Sequence, residues 1–180
     1  MDQQLKPVED KLAEAFKGVP PLPSSAKKML VQWWPYVTLA AGILQLLAAL
    51  ALYNWGQDIN KLADSVNKFS SAFGVANTVE KLNIFYWISL AILVATGVIF
   101  LMAYPGLKAK KRAGWSLMFL ATLLNAVYGV FSALNDRGGI GSLIGSLLGT
   151  AVGLYFLFQV RDMFGGAHKA HAEPKSPTDK

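Results

Sequence analysis

The stretch IFYWISLAILVATGVIFLMAY, residues 84–104, decides the fold class of this chain. It contains no charged side chain, and a helix of about 20 residues crosses the roughly 30 Å hydrocarbon core of a bilayer. Three further uncharged apolar stretches of similar length lie at residues 31–55, 114–134 and 140–160. Because these runs are longer than a buried soluble helix needs, they predict an all-α membrane protein with a four-helix transmembrane bundle.

The overall composition agrees with this assignment. Of the 180 residues, 53% are hydrophobic and only 16% are charged, so the surplus apolar surface needs lipid as its solvent. The net charge is +6, but the basic residues cluster beside the apolar stretches, which is typical of topology signals. We therefore expect no nucleic-acid partner. The chain has no cysteine, which excludes disulfides and thiolate chemistry.

The distribution of Lys and Arg predicts that both termini lie on the cytoplasmic side of a cell membrane. Three basic segments, residues 27–28, residues 108–112 and the tail from Arg161, would face the same side of a four-span protein, whereas the other two loops carry balanced charges. Tryptophans at the ends of the apolar stretches predict an interfacial aromatic belt. These are Trp33, Trp34, Trp55, Trp87 and Trp115.

The polar segments divide the chain further. Residues 1–30 are expected to hold a cytoplasmic amphipathic helix and a Pro-rich connector, and residues 161–180 a mobile cytoplasmic tail. The apolar face of that N-terminal helix is predicted to comprise Leu5, Val8, Leu12, Ala15 and Phe16.

The transmembrane domain, residues 31–160, contains one long external loop at residues 56–83. Apolar residues recur there every three or four positions, which predicts an external interfacial helix between spans 1 and 2. They are Ile59, Leu62, Val66, Phe69 and Phe73. The alternatives are a helix that caps the bundle or one that docks a partner.

Span 4 carries two rows of small residues suited to helix packing. Helices in lipid associate through close backbone approach, which rows of the GxxxG type permit. The first row is Gly141, Gly145, Gly149 and Gly153; the second is Ser142, Ser146 and Thr150. Span 3 contributes a row that includes Ala121 and Gly129. Either the rows of spans 3 and 4 face each other within one protomer, or the glycine row faces outward and builds a homo-oligomer.

Two carboxamides, Gln45 and Asn125, lie near the midpoints of spans 1 and 3 and at a similar depth. An unpaired amide in an apolar medium costs several kcal/mol, so each is expected to have a partner. The simpler hypothesis is a hydrogen bond between them across the bundle. The functional alternative is a polar constriction for a solute or an ion.

Few other residues suggest a binding site or a catalytic site. The cluster Lys108, Lys110, Lys111 and Arg112 is a candidate contact for anionic lipid headgroups, although topology signalling also explains it. His168 and His171 are spaced three apart, but no third ligand accompanies them, so we predict no metal and no cofactor.

The spans hold no ionisable carboxylate, Lys, Arg or His, and no nucleotide-binding or hydrolase motif occurs. We therefore predict no catalytic residues, no identifiable small-molecule substrate and no enzyme activity.

Three stretches resemble small four-span membrane proteins of bacteria with reduced genomes, a group without an assigned activity. They are residues 20–23 (PPLP), residues 105–111 (PGLKAKK) leading to Gly114-Trp115, and residues 153–161 (GLYFLFQVR). The resemblance covers most of the chain. It implies that the chain is located in a bacterial inner membrane, and it assigns a functional role to none of its residues.

The sequence therefore favours a non-enzymatic integral membrane protein with a structural, assembly or interaction role that uses the glycine-rich fourth span. Its expected partners are membrane lipid and a second copy of the chain. The alternative is an oligomeric channel or small-solute facilitator lined by Gln45, Asn125, Ser142, Ser146 or Thr150.

Overall fold

The computed structural model describes residues 2–74, 79–133 and 139–165. All regular elements in these ranges are helical, which confirms the all-α prediction. They are α1 (Asp2–Ala15), α2 (Ser24–Ala72), α3 (Ile84–Lys108), α4 (Arg112–Ala133), α5 (Gly139–Gln159) and a 3₁₀ turn at Arg161–Met163. Most of the predicted mobile tail, including His168 and His171, lies outside the described residues.

Three of these helices, α2, α3 and α4, are long and apolar enough to cross a membrane. The apolar character continues in α5 over Leu143–Gln159. Large apolar side chains stay exposed along the helices, for example Leu44 (65%) and Val127 (61%). So much exposed apolar surface is typical of helices that face lipid.

Helix α2 differs from its prediction. The sequence predicted a span ending at Trp55 and a separate interfacial helix, whereas the structure has one continuous helix of 49 residues, about 73 Å long at 1.5 Å per residue. A single Gly56 costs a helix only about 1 kcal/mol, and the Tyr86 ring packs directly against it. The periodic apolar residues therefore extend the span instead of starting a new element.

The returning segment after residue 78 lies along this extension of α2. Asn67 accepts a hydrogen bond from the Val79 N–H at 2.6 Å and donates to its carbonyl at 2.9 Å. Lys81 pairs with Asp64 at 2.8 Å. These polar contacts brace one side of the extension, while Leu62, Phe69 and Phe73 stay exposed on it.

The extensive helix contacts join chain neighbours: α2 packs on α3, α3 on α4 and α4 on α5. The helices converge at one end of the molecule, where the start of α2, the α3–α4 turn and the end of α5 meet. We call this the basic end. Its buried core includes Val31, Leu107, Phe119, Leu157, Val160 and Phe164.

Trp115 lies in this core, so its predicted membership of an interfacial belt is wrong. It is fully buried, stacks on Phe119 with ring centroids 5.3 Å apart, and donates from Nε1 to the Leu157 carbonyl at 2.8 Å. A buried indole needs such an acceptor. Trp33 and Trp55, in contrast, are 60% and 51% exposed, as belt residues would be.

The tight α3–α4 turn depends on two glycines. A Cβ on Gly106 would lie 2.8 Å from the Gly114 Cα, so the backbones touch at this point. The turn closes with two bonds, from the Lys111 N–H to the Gly106 carbonyl at 2.8 Å and from the Lys110 N–H to the Leu107 carbonyl at 3.0 Å. This is a Schellman motif, in which Lys110 adopts a left-handed φ of 51°.

Candidate functional site

The glycine row of α5 points away from the rest of the protomer over most of its length. A Cβ built on Gly141, Gly145 or Gly149 would meet no atom of the described residues within 4 Å. Only Gly153 approaches α4, where its Cβ would lie 3.5 Å from the Thr122 Cγ2. The first three glycines therefore form an open face, which we call the glycine face, and this geometry favours the outward interpretation for them.

Ser146, from the second small row, forms a close contact with α4 instead. A Cβ on Gly129 would collide with the Ser146 side chain, so α4 and α5 approach closely at this pair. The Ser146 hydroxyl also donates to the Asn125 carbonyl at 3.4 Å. Ala121, in the same row as Gly129, is fully buried. The side chain of Ser142 lies outside the described residues.

Between α4 and α5 a crevice of about 380 Å³ opens beside the glycine face. Five of its seven lining residues carry side chains that can form hydrogen bonds. The lining residues are Thr122, Asn125, Tyr128, Ser146, Gly149, Thr150 and Gly153. Asn125, Ser146 and Thr150, three of the five residues named for a channel lining, thus lie together here.

Gln45 does not belong to this crevice. Its Nε2 donates to the Leu93 carbonyl at 3.0 Å and to the Thr96 hydroxyl, so the structure places this amide against α3 and not against Asn125. Thr96 is buried, and its hydroxyl donates within α3 to the Ile92 carbonyl. Gly42 and Gly97 allow this close approach, since a Cβ on Gly42 would lie 3.2 Å from the Gly97 carbonyl oxygen.

At the basic end, α1 is joined to the helix array by a buried carboxylate. Glu9 is only 6% exposed and pairs with Arg112 and with Arg161, the latter at 2.6 Å. Asp10 adds a longer contact to Arg161 at 3.5 Å. The Arg112 guanidinium also lies 4.0 Å from the centre of the Trp115 ring. Burying a carboxylate is costly, and paired opposite charges such as these offset that cost.

Sequence reasoning missed this cluster, although a signal was present. Glu9 lies four residues after Leu5 and three before Leu12, on the apolar face of α1. Leu5, Leu12 and Phe16 pack against the core of the basic end, whereas Val8, assigned to that face, is 43% exposed. An acid in the middle of an apolar stripe indicates a buried ion pair.

The Pro-rich connector is held to α5. The Tyr155 hydroxyl donates to the Pro20 carbonyl at 3.1 Å, and the Gln159 side chain accepts from the Leu22 N–H at 3.0 Å. The connector is therefore a docked segment with defined partners on α5.

The predicted basic cluster divides in the structure. Arg112 turns inward to Glu9, whereas Lys108, Lys110 and Lys111 are exposed. Among the residues that the structure describes, no three His, Asp or Glu side chains are placed to hold a metal ion.

Comparison with models of known protein families, with curated proteins and with solved structures found no match for this chain.

Proposed function

We propose that this chain is a non-enzymatic, four-span membrane protein with a structural or assembly role, and that the glycine face of α5 joins it to a second copy. The observation that carries this proposal is the open space over Gly141, Gly145 and Gly149. Glycine in a helix interior costs about 1 kcal/mol against alanine. That cost is offset when a second helix backbone packs closely there.

The fourth span and the orientation are part of the proposal. α5 has 21 residues, enough to cross the hydrocarbon core, and it packs on α4. Lys28, Lys108 and Lys110 lie around one groove at the basic end, so basic segments distant in sequence share one end of the molecule. The positive-inside rule then assigns this end, with both termini, to the cytoplasm.

Single-cysteine cross-linking tests the proposed contact, because the chain has no cysteine of its own. We expect Gly145→Cys and Gly149→Cys to form disulfide-linked dimers in membranes under mild oxidation. The matched control is Ala91→Cys, a small, exposed residue on α3. Equal cross-linking of the α5 and α3 variants would contradict a specific contact through the glycine face.

A second experiment measures the strength of the contact. Gly145→Ile fills the open face, so we expect the dimer to weaken at least tenfold in dilution measurements in detergent micelles. Ala91→Ile adds a comparable apolar side chain on α3 and should leave self-association unchanged. A dimer that tolerates Gly145→Ile would show that the subunits meet elsewhere.

The second candidate function is a facilitator for small polar solutes, and one observation favours it. The polar crevice between α4 and α5 adjoins Gly149, so a dimer through the glycine face would bring two crevices close together. Solute flux into liposomes that Thr150→Val abolishes would support this function. Sealed liposomes would support the structural role.

A further inference from the structure

A groove of about 460 Å³ opens at the basic end between α2 and the α3–α4 turn. We call it the lysine groove. It combines cationic, polar and apolar side chains drawn from three parts of the chain. Its lining residues are Lys28, Val31, Gln32, Pro35, Tyr36, Lys108, Lys110 and Met163.

The three lysines are brought together by the fold. Lys28 belongs to the start of α2, Lys108 is the last residue of α3, and Lys110 occupies the left-handed position of the turn. Like charges in one groove repel each other. Two of the three have a local support: the Schellman motif sets the Lys110 backbone, and the Lys108 Nζ lies 5.8 Å from the centre of the Tyr104 ring.

Two of the carboxylates near this end are engaged with arginines, whereas Asp162, in the turn beside Met163, is exposed, belongs to none of the ion pairs found among the described residues and does not line the groove. Glu9 pairs with Arg112 and Arg161, and Asp10 also contacts Arg161. None of the ion pairs found among the described residues includes a lysine of the groove. The groove thus presents three positive charges and suits an anion.

The rest of the groove suits an amphipathic ligand better than a free anion. Val31 and Pro35 are buried at its base, and Met163 adds a flexible apolar wall. The Tyr36 ring meets the rings of Trp33 and Tyr104 edge-on, each at 6.4 Å. Aromatic residues of this kind mark the headgroup level of a bilayer, and the exposed apolar surface of α2 continues beyond them at Val37.

From this arrangement we infer that the lysine groove binds an anionic phospholipid. The lipid phosphate lies among Lys28, Lys108 and Lys110, and an acyl chain follows the apolar surface of α2. This site replaces the linear cluster expected from the sequence, because Arg112 is engaged by Glu9 while Lys28 joins from another helix. The inference rests on the proposed membrane location but does not require the glycine face.

Native mass spectrometry of the detergent-purified chain tests the site. Phosphatidylglycerol and phosphatidylcholine with identical acyl chains serve as probes. We expect the wild-type chain to retain the anionic lipid about tenfold more strongly, and the triple variant Lys28→Gln, Lys108→Gln, Lys110→Gln to lose this preference. The matched control neutralises Lys6, Lys11 and Lys17, which lie on or just after α1 and outside the groove.

Each other outcome overturns the inference. If the wild-type chain retained both lipids equally, the groove would not be an anionic-lipid site. If both triple variants lost the preference for phosphatidylglycerol equally, the preference would come from net charge and not from the groove. If glycerol phosphate competes as effectively as the lipid, the groove binds a free phosphate compound instead. Insertion of the chain into phosphatidylcholine nanodiscs is scored separately, so failure of the membrane proposal is distinguishable from failure of the lipid site.

Discussion

The guanidinium of Arg161 lies 2.6 Å from the carboxylate of Glu9, which ties the end of the helix array to its first helix. The same carboxylate also pairs with Arg112 at the start of α4. One buried acid therefore joins α1, α4 and the turn after α5. This makes α1 part of the folded unit at the basic end, with the Pro-rich connector held beside it by Tyr155 and Gln159.

Glu9→Gln should destabilise the basic end. The amide keeps the shape but leaves Arg112 and Arg161 without their carboxylate, and we expect a loss of about 2 kcal/mol in unfolding free energy. Thermal unfolding in detergent and proteolysis of the connector measure this. Glu14→Gln, an exposed acid on the same helix, is the control. Equal effects of the two variants would show that the pairing contributes nothing specific.

Gly114→Ala should disrupt the α3–α4 turn. A Cβ at this position would collide with the backbone of Gly106 and Leu107, which cannot move aside as a flexible side chain can. We expect destabilisation of about 2 kcal/mol or more, as for other overpacked sites. Gly18→Ala enters open space and should be neutral or slightly stabilising. A thermally neutral Gly114→Ala would contradict the close backbone contact.

A double-mutant cycle should detect coupling between Gln45 and Thr96. Their side chains are hydrogen-bonded, so losses for Gln45→Leu and Thr96→Val should be non-additive by about 0.6 kcal/mol, the average for such bonds between membrane helices. The cycle of Gln45→Leu with Asn125→Leu serves as the control and should be additive. Coupling only between Gln45 and Asn125 would contradict the bond to Thr96 and support the hydrogen bond expected from the sequence.

Lys110→Gly should raise the stability of the protein but weaken its lipid binding. Glycine accepts the left-handed conformation that strains lysine, so we expect stabilisation of about 1 kcal/mol. The same change removes one cation from the lysine groove and should weaken retention of phosphatidylglycerol. Lys111→Gly, at the next residue and outside the groove, should give neither effect. A Lys110→Gly variant that gains stability and retains the lipid unchanged would remove Lys110 from the proposed site.

Several features of the site could be predicted from periodicity. The row Gly141, Gly145, Gly149 is evident in the sequence, as is the apolar face of α1. Periodicity identifies which residues share a face, but it does not say what that face meets. The structure supplies this information for α5: Ser146 packs on Gly129, and the glycines remain open.

Similar depth along two spans predicts a contact less reliably than periodicity predicts a shared helix face. Gln45 and Asn125 lie at similar depth, yet the Gln45 amide donates to a carbonyl of α3, the helix with which α2 has its extensive contact. Trp115 lies near the start of an apolar stretch, as an interfacial residue would, yet it is buried beside the close α3–α4 turn. The position of a residue along its own helix does not determine its contacts, because the short turns between helices decide which surfaces meet.

The sequence alone determined that the chain is helical and that three of its helices are long and apolar enough to cross a membrane, because helix length and side-chain hydropathy are local properties. The tertiary structure decided which face of α5 stays open, which acid is buried with Arg112 and Arg161, and which lysines share a groove. These features join residues far apart in the chain, so they depend on the packing of helices against one another and leave only indirect traces in the sequence.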